Sequence, residues 1–301
     1  MQLAMIGLGR MGANMAQRLR AAGHEAVGCD PGEPARARVA ALGMAAFATP
    51  VEAVAACAAP RTIWLMVPAG QAVDDCIAAI TGRLSSGDIV VDGGNSHYRD
   101  AQRRAAQLGA GGVHFVDCGT SGGIWGLHEG YSLMLGGDAA AIERLRPLLE
   151  ALAPACDAGW ARVGPSGAGH FAKMIHNGIE YGLMQAYAEG FSLLEHKAEF
   201  AFDLHAVARV WQRGSVVRSW LLDLIAEALH DDAHLADVAP RVADSGEGRW
   251  TVAEAIDLDV PAPVITQALI ERLRSRDADS FADKLLATMR NRFGGHAVAR
   301  K

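Results

Sequence analysis

Lys173, His176, Asn177 and Glu180 stand at i, i+3, i+4 and i+7 within Gly164-Pro-Ser-Gly-Ala-Gly-His-Phe-Ala-Lys-Met-Ile-His-Asn-Gly-Ile-Glu-Tyr-Gly182. At about 3.6 residues per turn these four fall on one helix face, spread over roughly 10 Å. An amine, an imidazole, an amide and a carboxylate on one stripe form an acid–base wall, although a solvated polar face would show the same pattern. The glycines favour the first reading. Gly167, Gly169, Gly178 and Gly182 would each weaken a helix by about 1 kcal/mol relative to alanine, which is expected where something approaches the backbone closely. Pro165 and Ser166 offer the helix start, and no proline follows until Pro240. Phe171, Ala172, Met174, Ile175, Ile179, Leu183 and Met184 are expected to bury the other sides.

A second constellation opens the chain. The apolar run Leu3–Gly7 leads into Gly7-Leu8-Gly9-Arg10-Met11-Gly12, and Ala13–Gly23 reads as a helix with a glycine stop. This is G-x-G-x-x-G in its required setting of strand, turn and helix. The glycines would supply a tight turn, room for a pyrophosphate and close helix–strand packing, and the helix N-terminus would offer N–H groups to the phosphates. Asp30 ends the next strand, His24–Asp30, where it would accept hydrogen bonds from the adenosine ribose and repel a 2′-phosphate. NAD is therefore favoured over NADP. Arg36 and Arg38 are the counter-evidence, but their place on the following helix predicts a solvated role.

These residues need a frame. Strand candidates at 45–49, 62–68, 88–92, 113–118, 131–135 and 157–163 alternate with helical stretches at 50–57, 69–77, 98–108 and 139–152. Such alternation predicts an α/β fold with a mostly parallel, doubly wound sheet of Rossmann type, whose ligands sit at the carboxyl ends of the strands. Val67-Pro68-Ala69, Asn95 and Ser121-Gly122-Gly123 all fall at such ends. After Gly164 the chain reads as helices at 165–196, 203–212, 217–230, 251–257, 264–274 and 277–291, with loops at Ala239–Arg249 and Val260–Pro263. The boundary is placed at 164/165, giving a dinucleotide-binding domain over 1–164 and an all-helical domain over 165–301. A helical half with so long a first helix seldom buries itself alone, which predicts a homodimer or homotetramer.

Composition sets the outer limits. Half of the 301 residues are hydrophobic, so a sizeable core is available, and the net charge of −6 argues against nucleic acid as a partner. The five cysteines are odd in number and lack C-x-x-C spacing, which suits reduced thiols in a cytoplasm better than disulfides or zinc. Neither a signal peptide nor a membrane span is read. Gly119-Thr-Ser121-Gly-Gly123 also fits the G-x-S-x-G nucleophile elbow, but Gly-Ile-Trp-Gly-Leu-His-Glu-Gly does not read as the helix start that the elbow requires. His230 and His234 have metal-ligand spacing, yet in a polar stretch without H-E-x-x-H they read as a solvated helix end, and no metal is expected. Trp211 and Trp220 are expected in the core.

Taken together, these residues resemble the decarboxylating 6-phosphogluconate dehydrogenase family. The resemblance rests on Gly7–Gly12, Asp92-Gly-Gly-Asn-Ser-His-Tyr-Arg-Asp100, Gly119–Gly123 with Trp125-Gly126, Lys173-Met-Ile-His-Asn-Gly-Ile-Glu-Tyr181 and Arg290-Asn-Arg-Phe-Gly-Gly-His296. It covers almost the whole chain and is similar to the family's short form, which lacks a second helical stretch. It implies that Lys173 is the general base for the C3 hydroxyl, acting as a neutral amine whose pKa burial lowers from about 10.4. The 3-keto acid then loses carbon dioxide, Lys173 stabilises the enolate oxygen, and Glu180 protonates C1 of the ketopentose. Asn95, Ser121, Gly122, Gly123, His176 and Asn177 would hold a small phosphorylated sugar acid. Tyr181 and Arg272 would face its phosphate, with Arg290 and His296 arriving from a neighbouring subunit.

One departure bears on the phosphate. Longer family members carry basic and hydroxyl residues where this chain has Ser245 and Glu247. A carboxylate is unfavourable there unless it turns outward, and Arg249 is expected to compensate. Two alternatives share parts of the pattern. A 3-hydroxyacid dehydrogenase of the same architecture would keep the glycine loop and the lysine without His-Asn-Gly-Ile-Glu-Tyr after it. A non-catalytic dinucleotide sensor would have no need of Lys173 and Glu180 aligned with Asn95.

Overall fold

The computed structural model describes residues 1–300. The chain divides into two compact units, one through His176 and the other from Asn177 on.

In the first unit most strands end at turns that carry candidate site residues. The strands are β1 (Gln2–Ile6), β2 (Glu25–Cys29), β3 (Ala46–Phe47), β4 (Thr62–Leu65), β5 (Ile89–Asp92), β6 (His114–Ser121), β7 (Ser132–Gly136) and β8 (Trp160–Gly164). Between them run α1 (Arg10–Ala21), α2 (Glu33–Ala40), α3 (Pro50–Ala55), α4 (Gln71–Ile80), α5 (Tyr98–Gly109), α6 (Gly126–Glu129) and α7 (Ala139–Leu152). The strand order is β3-β2-β1-β4-β5-β6-β7-β8. All neighbours pair parallel except β6 and β7, which are antiparallel. Leu3, Met5, Trp64 and Val91 join one buried cluster, whereas Ala4, Ile6, Ile63, Leu65 and Val90 join another. Successive side chains thus enter cores on opposite faces of the sheet, which is why these strands read as continuous apolar runs.

The long helix α8 (Ala168–His196) starts later than Pro165. Gly167 lies in the left-handed region at φ +95° and precedes the helix. The cap comes from the sheet, because the buried Asp117 of β6 accepts the N–H groups of Gly167 (2.6 Å) and His170 (2.9 Å). These bonds satisfy amides that a helix start leaves unpaired. Gly169, Gly178 and Gly182 of α8 are explained by close approach of the protein's own chain. A Cβ on Gly169 would lie 2.3 Å from the Met134 carbonyl oxygen and 2.6 Å from that of Asp117. On Gly178 it would meet Thr251 at 2.7 Å, and on Gly182 it would meet Val264 at 3.3 Å.

The second unit continues with α9 (Leu204–Trp211), α10 (Trp220–Asp231), α11 (Glu247–Asp257), α12 (Pro263–Arg274) and α13 (Phe281–Gly294). Asp203, Ser219 and Ser280 are N-caps rather than helical residues, which moves the starts of α9, α10 and α13 past those expected. Helix α11 begins four residues before the expected Thr251, after Gly246 at φ +102°. Phe191, Ala208, Leu222, Ala226 and Leu229 form one small core, and Tyr181, Ala268 and Leu269 another. Trp211 packs edge-on to Phe191 at 5.5 Å, but Trp220 is about half exposed, against expectation. Ile179, Leu183 and Met184 are likewise exposed, so the apolar side of α8 is buried less completely than its composition implies.

The glycines of α8 give a sharp contrast. Gly169→Ala must push a Cβ into backbone that cannot move aside, and a loss of at least about 3 kcal/mol is expected. Gly190 has nothing within 4 Å of its Cβ position, so Gly190→Ala should stabilise by roughly 0.4–1 kcal/mol. Denaturant melts of the two variants check this, and equal effects would contradict it.

Candidate active site

The glycine turn after β1 has three differently constrained positions. Gly7 has φ +96°, and a Cβ there would lie 2.5 Å from the Met66 carbonyl oxygen. A Cβ on Gly12 would lie 2.0 Å from the Gly7 carbonyl oxygen, so α1 is seated directly on the turn. Gly9, between them, has nothing within 4 Å. A tight turn, an open approach and close helix packing are the three properties that a pyrophosphate cradle needs. The turn borders a cleft of about 780 Å³ whose lining includes Arg10, Met11, Asp30, Val67, Pro68 and Asn95. Leu8 and Ala69 do not line it. Leu8 is fully buried in the core, and Ala69 is exposed beside Pro68. Met66, Cys76 and Gly94 line it without having been singled out. Burial pushes the thiol of Cys29, another lining residue, up to about 12, which keeps that thiol uncharged.

Asp30 is built into the cradle. Its carboxylate accepts the N–H of Leu8 (2.9 Å) and of Gly32 (2.8 Å), holding the glycine turn to the end of β2. Arg36 and Arg38 are not merely solvated. Arg36 donates to the carbonyls of Asp30 and Pro31, and Arg38 donates to that of Leu8. The short spacing from strand end to helix brings both guanidinium groups back to the loop backbone.

At the ends of β5 and β6 the polar residues converge. The Asn95 amide accepts the Thr120 N–H (2.8 Å) and donates to the Thr120 carbonyl (3.0 Å), locking the two turns together. Next to Thr120, a Cβ on Gly119 would lie 2.5 Å from Lys173 Cβ, so α8 crosses the end of β6 in direct contact. Lys173 is 5% exposed, its Nζ is 3.4 Å from His176 Nδ1, and His176 Nε2 is 3.4 Å from Ser121 Oγ. Gly122 and Gly123, at φ +129° and +54°, turn the chain away from Ser121. A 3-10 turn (Gly123–Trp125) and α6 follow, so the stretch does form helix, contrary to expectation. Gly126 permits it by packing on the Tyr131 ring. Lys173, His176, Ser121 and Asn95 are thus brought together in the first unit.

In the second unit, Asn177 is buried and Glu180 half-buried on the same helix. The Arg272 guanidinium lies 3.6 Å over the buried Tyr181 ring and donates to the Ala243 carbonyl. The Tyr181 hydroxyl accepts the Ser245 N–H at 3.3 Å. Glu247 is buried rather than turned outward, and its Oε2 has no hydrogen-bond partner. Arg249 does not compensate it but pairs with Asp244. Arg290 lies on α13, which has no buried residue. The turn after that helix is made at Gly295 (φ +67°), and the His296 carbonyl accepts from Asn291. The His230 ring lies tilted against the His205 ring at 5.1 Å, and His234 lies 3.3 Å from Glu195. Among the described residues no cluster of His, Cys, Asp or Glu could hold a metal, and no helix is long and apolar enough to cross a membrane.

Two family models match, the NAD binding domain of 6-phosphogluconate dehydrogenase over residues 2–160 and the 6-phosphogluconate dehydrogenase C-terminal domain over 169–299. The NAD(+)-dependent, decarboxylating 6-phosphogluconate dehydrogenase of Haloferax volcanii is 45% identical over 302 residues, covering all of this chain and 99% of its own length. The chain belongs to the 6-phosphogluconate dehydrogenase family. An NADP(+)-dependent, decarboxylating relative from Bacillus subtilis is 40% identical, but the match takes in 72% of this chain and 48% of that longer protein. The solved structure of Plasmodium falciparum 6-phosphogluconate dehydrogenase superposes with a TM-score of 0.85 at 27% identity, covering all of this chain and 66% of that one.

The family's site motifs rest here on supporting charges that sequence reasoning missed. Asp92 and Arg104 are both fully buried and 3.2 Å apart, and Arg104 also pairs with Asp74 (2.8 Å). Burial alone would push the Asp92 carboxyl up. His170, Ser96 and the Gly94 N–H outweigh it and hold the group below the usual carboxylate range. The available signal was the place of Arg104 on the buried side of α5, with Ala101 and Leu108.

Asp244 is a second support. Arg249, and then Arg276, outweigh its burial and pull its carboxyl down to about 2. A carboxyl depressed on folding contributes stability above its unfolded pKa, near 4, and loses it as pH falls towards 2. Asp244→Asn should therefore lower the thermal midpoint by several degrees at pH 7, and the gap to wild type should narrow as pH falls from about 4 to 2. A gap independent of pH would contradict this charge assignment.

Proposed function

We propose that this chain converts 6-phospho-D-gluconate to D-ribulose 5-phosphate and carbon dioxide, with reduction of NAD. The observation that carries this reading is the buried Lys173 beside His176, Ser121 and the Asn95-bearing turn, in the unit that also holds the glycine cradle. The name of the full-length Haloferax volcanii relative supports both the reaction and the cofactor. Bound NAD supplies the hydride acceptor, and the open Gly9 and the Asp30 carboxylate suit its pyrophosphate and ribose. Asp30 also disfavours a 2′-phosphate, and Arg36 and Arg38 are already committed to backbone carbonyls.

Each residue then has a task. Lys173, as the free amine, takes the C3 hydroxyl proton when the C3 hydrogen leaves as hydride. The resulting ketone accepts the electron pair when the C1–C2 bond breaks and carbon dioxide departs. Lys173 gives its proton to the enolate oxygen and takes it back as Glu180 protonates the carbon that lost carbon dioxide, which becomes C1 of the product ketone. Asn95, Ser121, His176 and Asn177 hold the sugar acid. Tyr181 and Arg272 face its phosphate. Arg290 and His296 serve the site of a neighbouring subunit in a homodimer or homotetramer. The exposed Phe281, Leu285, Met289 and Phe293 of α13 support self-association. Five free thiols suit a cytoplasmic location.

The test is stoichiometry. With 6-phosphogluconate and NAD, carbon dioxide and NADH should form one to one, and kcat/KM should be higher with NAD than with NADP. NADH without carbon dioxide would mean a 3-hydroxyacid dehydrogenase, and neither product would mean a nucleotide sensor. Glu180→Gln keeps shape but removes the acid, so turnover should fall about 10²–10⁴-fold with little change in substrate KM. Product formation near the wild-type rate would leave Glu180 a structural member of the stripe.

A further inference from the structure

His170 lies one helical turn before Lys173, and its side chain is wholly buried. Neither ring nitrogen has a hydrogen-bond partner, although Nε2 is 3.4 Å from Asp92 Oδ2. That separation gives attraction without the alignment of a hydrogen bond. A buried imidazole with both nitrogens unbonded needs an explanation, since such groups are rarely retained without one. Asp92 supplies the other half of it. Its Oδ1 accepts the Gly94 N–H (3.0 Å) and its Oδ2 accepts the Ser96 hydroxyl (2.7 Å), so it grips the chain on both sides of Asn95. Asn95 sits between them at φ +53°, a left-handed conformation that asparagine adopts more readily than most residues with a side chain. Arg104 fixes Asp92 from below and is itself tied to Asp74 and the Gly70 carbonyl. On the helix side, the His170 N–H donates to Asp117. The fully buried charged groups about His170 are therefore Asp92 at its ring, Arg104 on the same Asp92 oxygen, and Asp117 at its backbone N–H.

We infer that His170 is a positioning residue for the reaction: its imidazole couples the first turn of α8 to Asp92, and so holds Lys173 in register with Asn95. This rests on the roles proposed above for Lys173 and Asn95. The 3.4 Å separation is one that a bound substrate can close, since hydrogen bonds that are long in a free enzyme tighten in its complexes. Misplacing a catalytic group by about 1 Å costs on the order of 10²-fold in rate while leaving binding contacts in place. The inference therefore predicts a loss in kcat rather than in KM.

Two amides of different reach test it. Gln at 170 can place an N–H near the position of Nε2, whereas Asn ends near Nδ1 and falls short of Asp92. His170→Gln should stay within about threefold of wild-type kcat. His170→Asn should fall about 10–100-fold, with KM for 6-phosphogluconate and for NAD within about twofold. A larger deuterium isotope effect at C3 should accompany the fall, because hydride transfer becomes slower. Thermal midpoints and NAD binding, followed by fluorescence, should match between the two variants. Equal kcat values for Gln and Asn would overturn the inference. So would a rise in both KM values in step with the loss of turnover, which would mark a structural role. A wild type that forms no NADH would instead sink the proposed reaction, whatever the variants do.

Discussion

The contact on which the first unit's chemistry depends is backbone against backbone, where the start of α8 crosses the carboxyl end of the sheet. Gly169 leaves no side chain between the helix and the Met134 and Asp117 carbonyls, and Gly119 leaves none between β6 and Lys173 Cβ. The Asp117 carboxylate then caps the helix that its own strand supports. A helix start pinned at three such points has little freedom to slide or rotate. Lys173 inherits that precision. It is delivered, nearly buried, to the strand end where Thr120 and Asn95 are already bonded to each other.

The same economy runs through the nucleotide cradle. Asp30 ties the glycine turn to the end of β2, and Arg38 and Arg36 stitch the backbone on either side of it. Asp92, held by Arg104, shapes the next turn along the sheet. A buried ion pair of this kind is weak evidence for stability, because desolvation offsets much of the attraction. Its value is geometric, since it fixes a loop that bears a residue in a left-handed conformation. In the second unit, Asp244 plays a comparable part, with Arg249 and Arg276 holding the segment that leads to Ser245.

What could be read from the sequence was whatever local rules determine. The three glycine positions of the opening turn have steric requirements that follow from their spacing, and the structure shows each of them. The doubly wound sheet was legible because strands buried on both faces are continuously apolar. The helical stripe of Lys173, His176, Asn177 and Glu180 was legible from periodicity alone. Less legible was anything decided by a distant partner. Gly169, Gly178 and Gly182 signalled a close approach, but only the fold identifies the partner of Gly169 as the backbone of β6 and β7. Arg36, Arg38 and Arg104 look alike in sequence, yet two bind loop carbonyls and one is buried against Asp92. The burial of Glu247, the extension of α11 and the exposure of Trp220, Ile179 and Leu183 likewise depend on neighbours far along the chain.

Lys173, placed by that crossing, is proposed as the base without which hydride does not leave. It is the first lysine in the chain, so no neighbouring amine in the sequence can stand in for it. The most direct measurement compares Lys173→Ala with wild type in two ways, NADH formation from 6-phosphogluconate and NAD binding followed by fluorescence. With Lys173 as the base, the variant keeps nucleotide affinity within about threefold of wild type and loses turnover by at least about 10²-fold, the lower range for loss of a positioned acid–base group. A variant that binds NAD normally and keeps more than a small fraction of its turnover would contradict it.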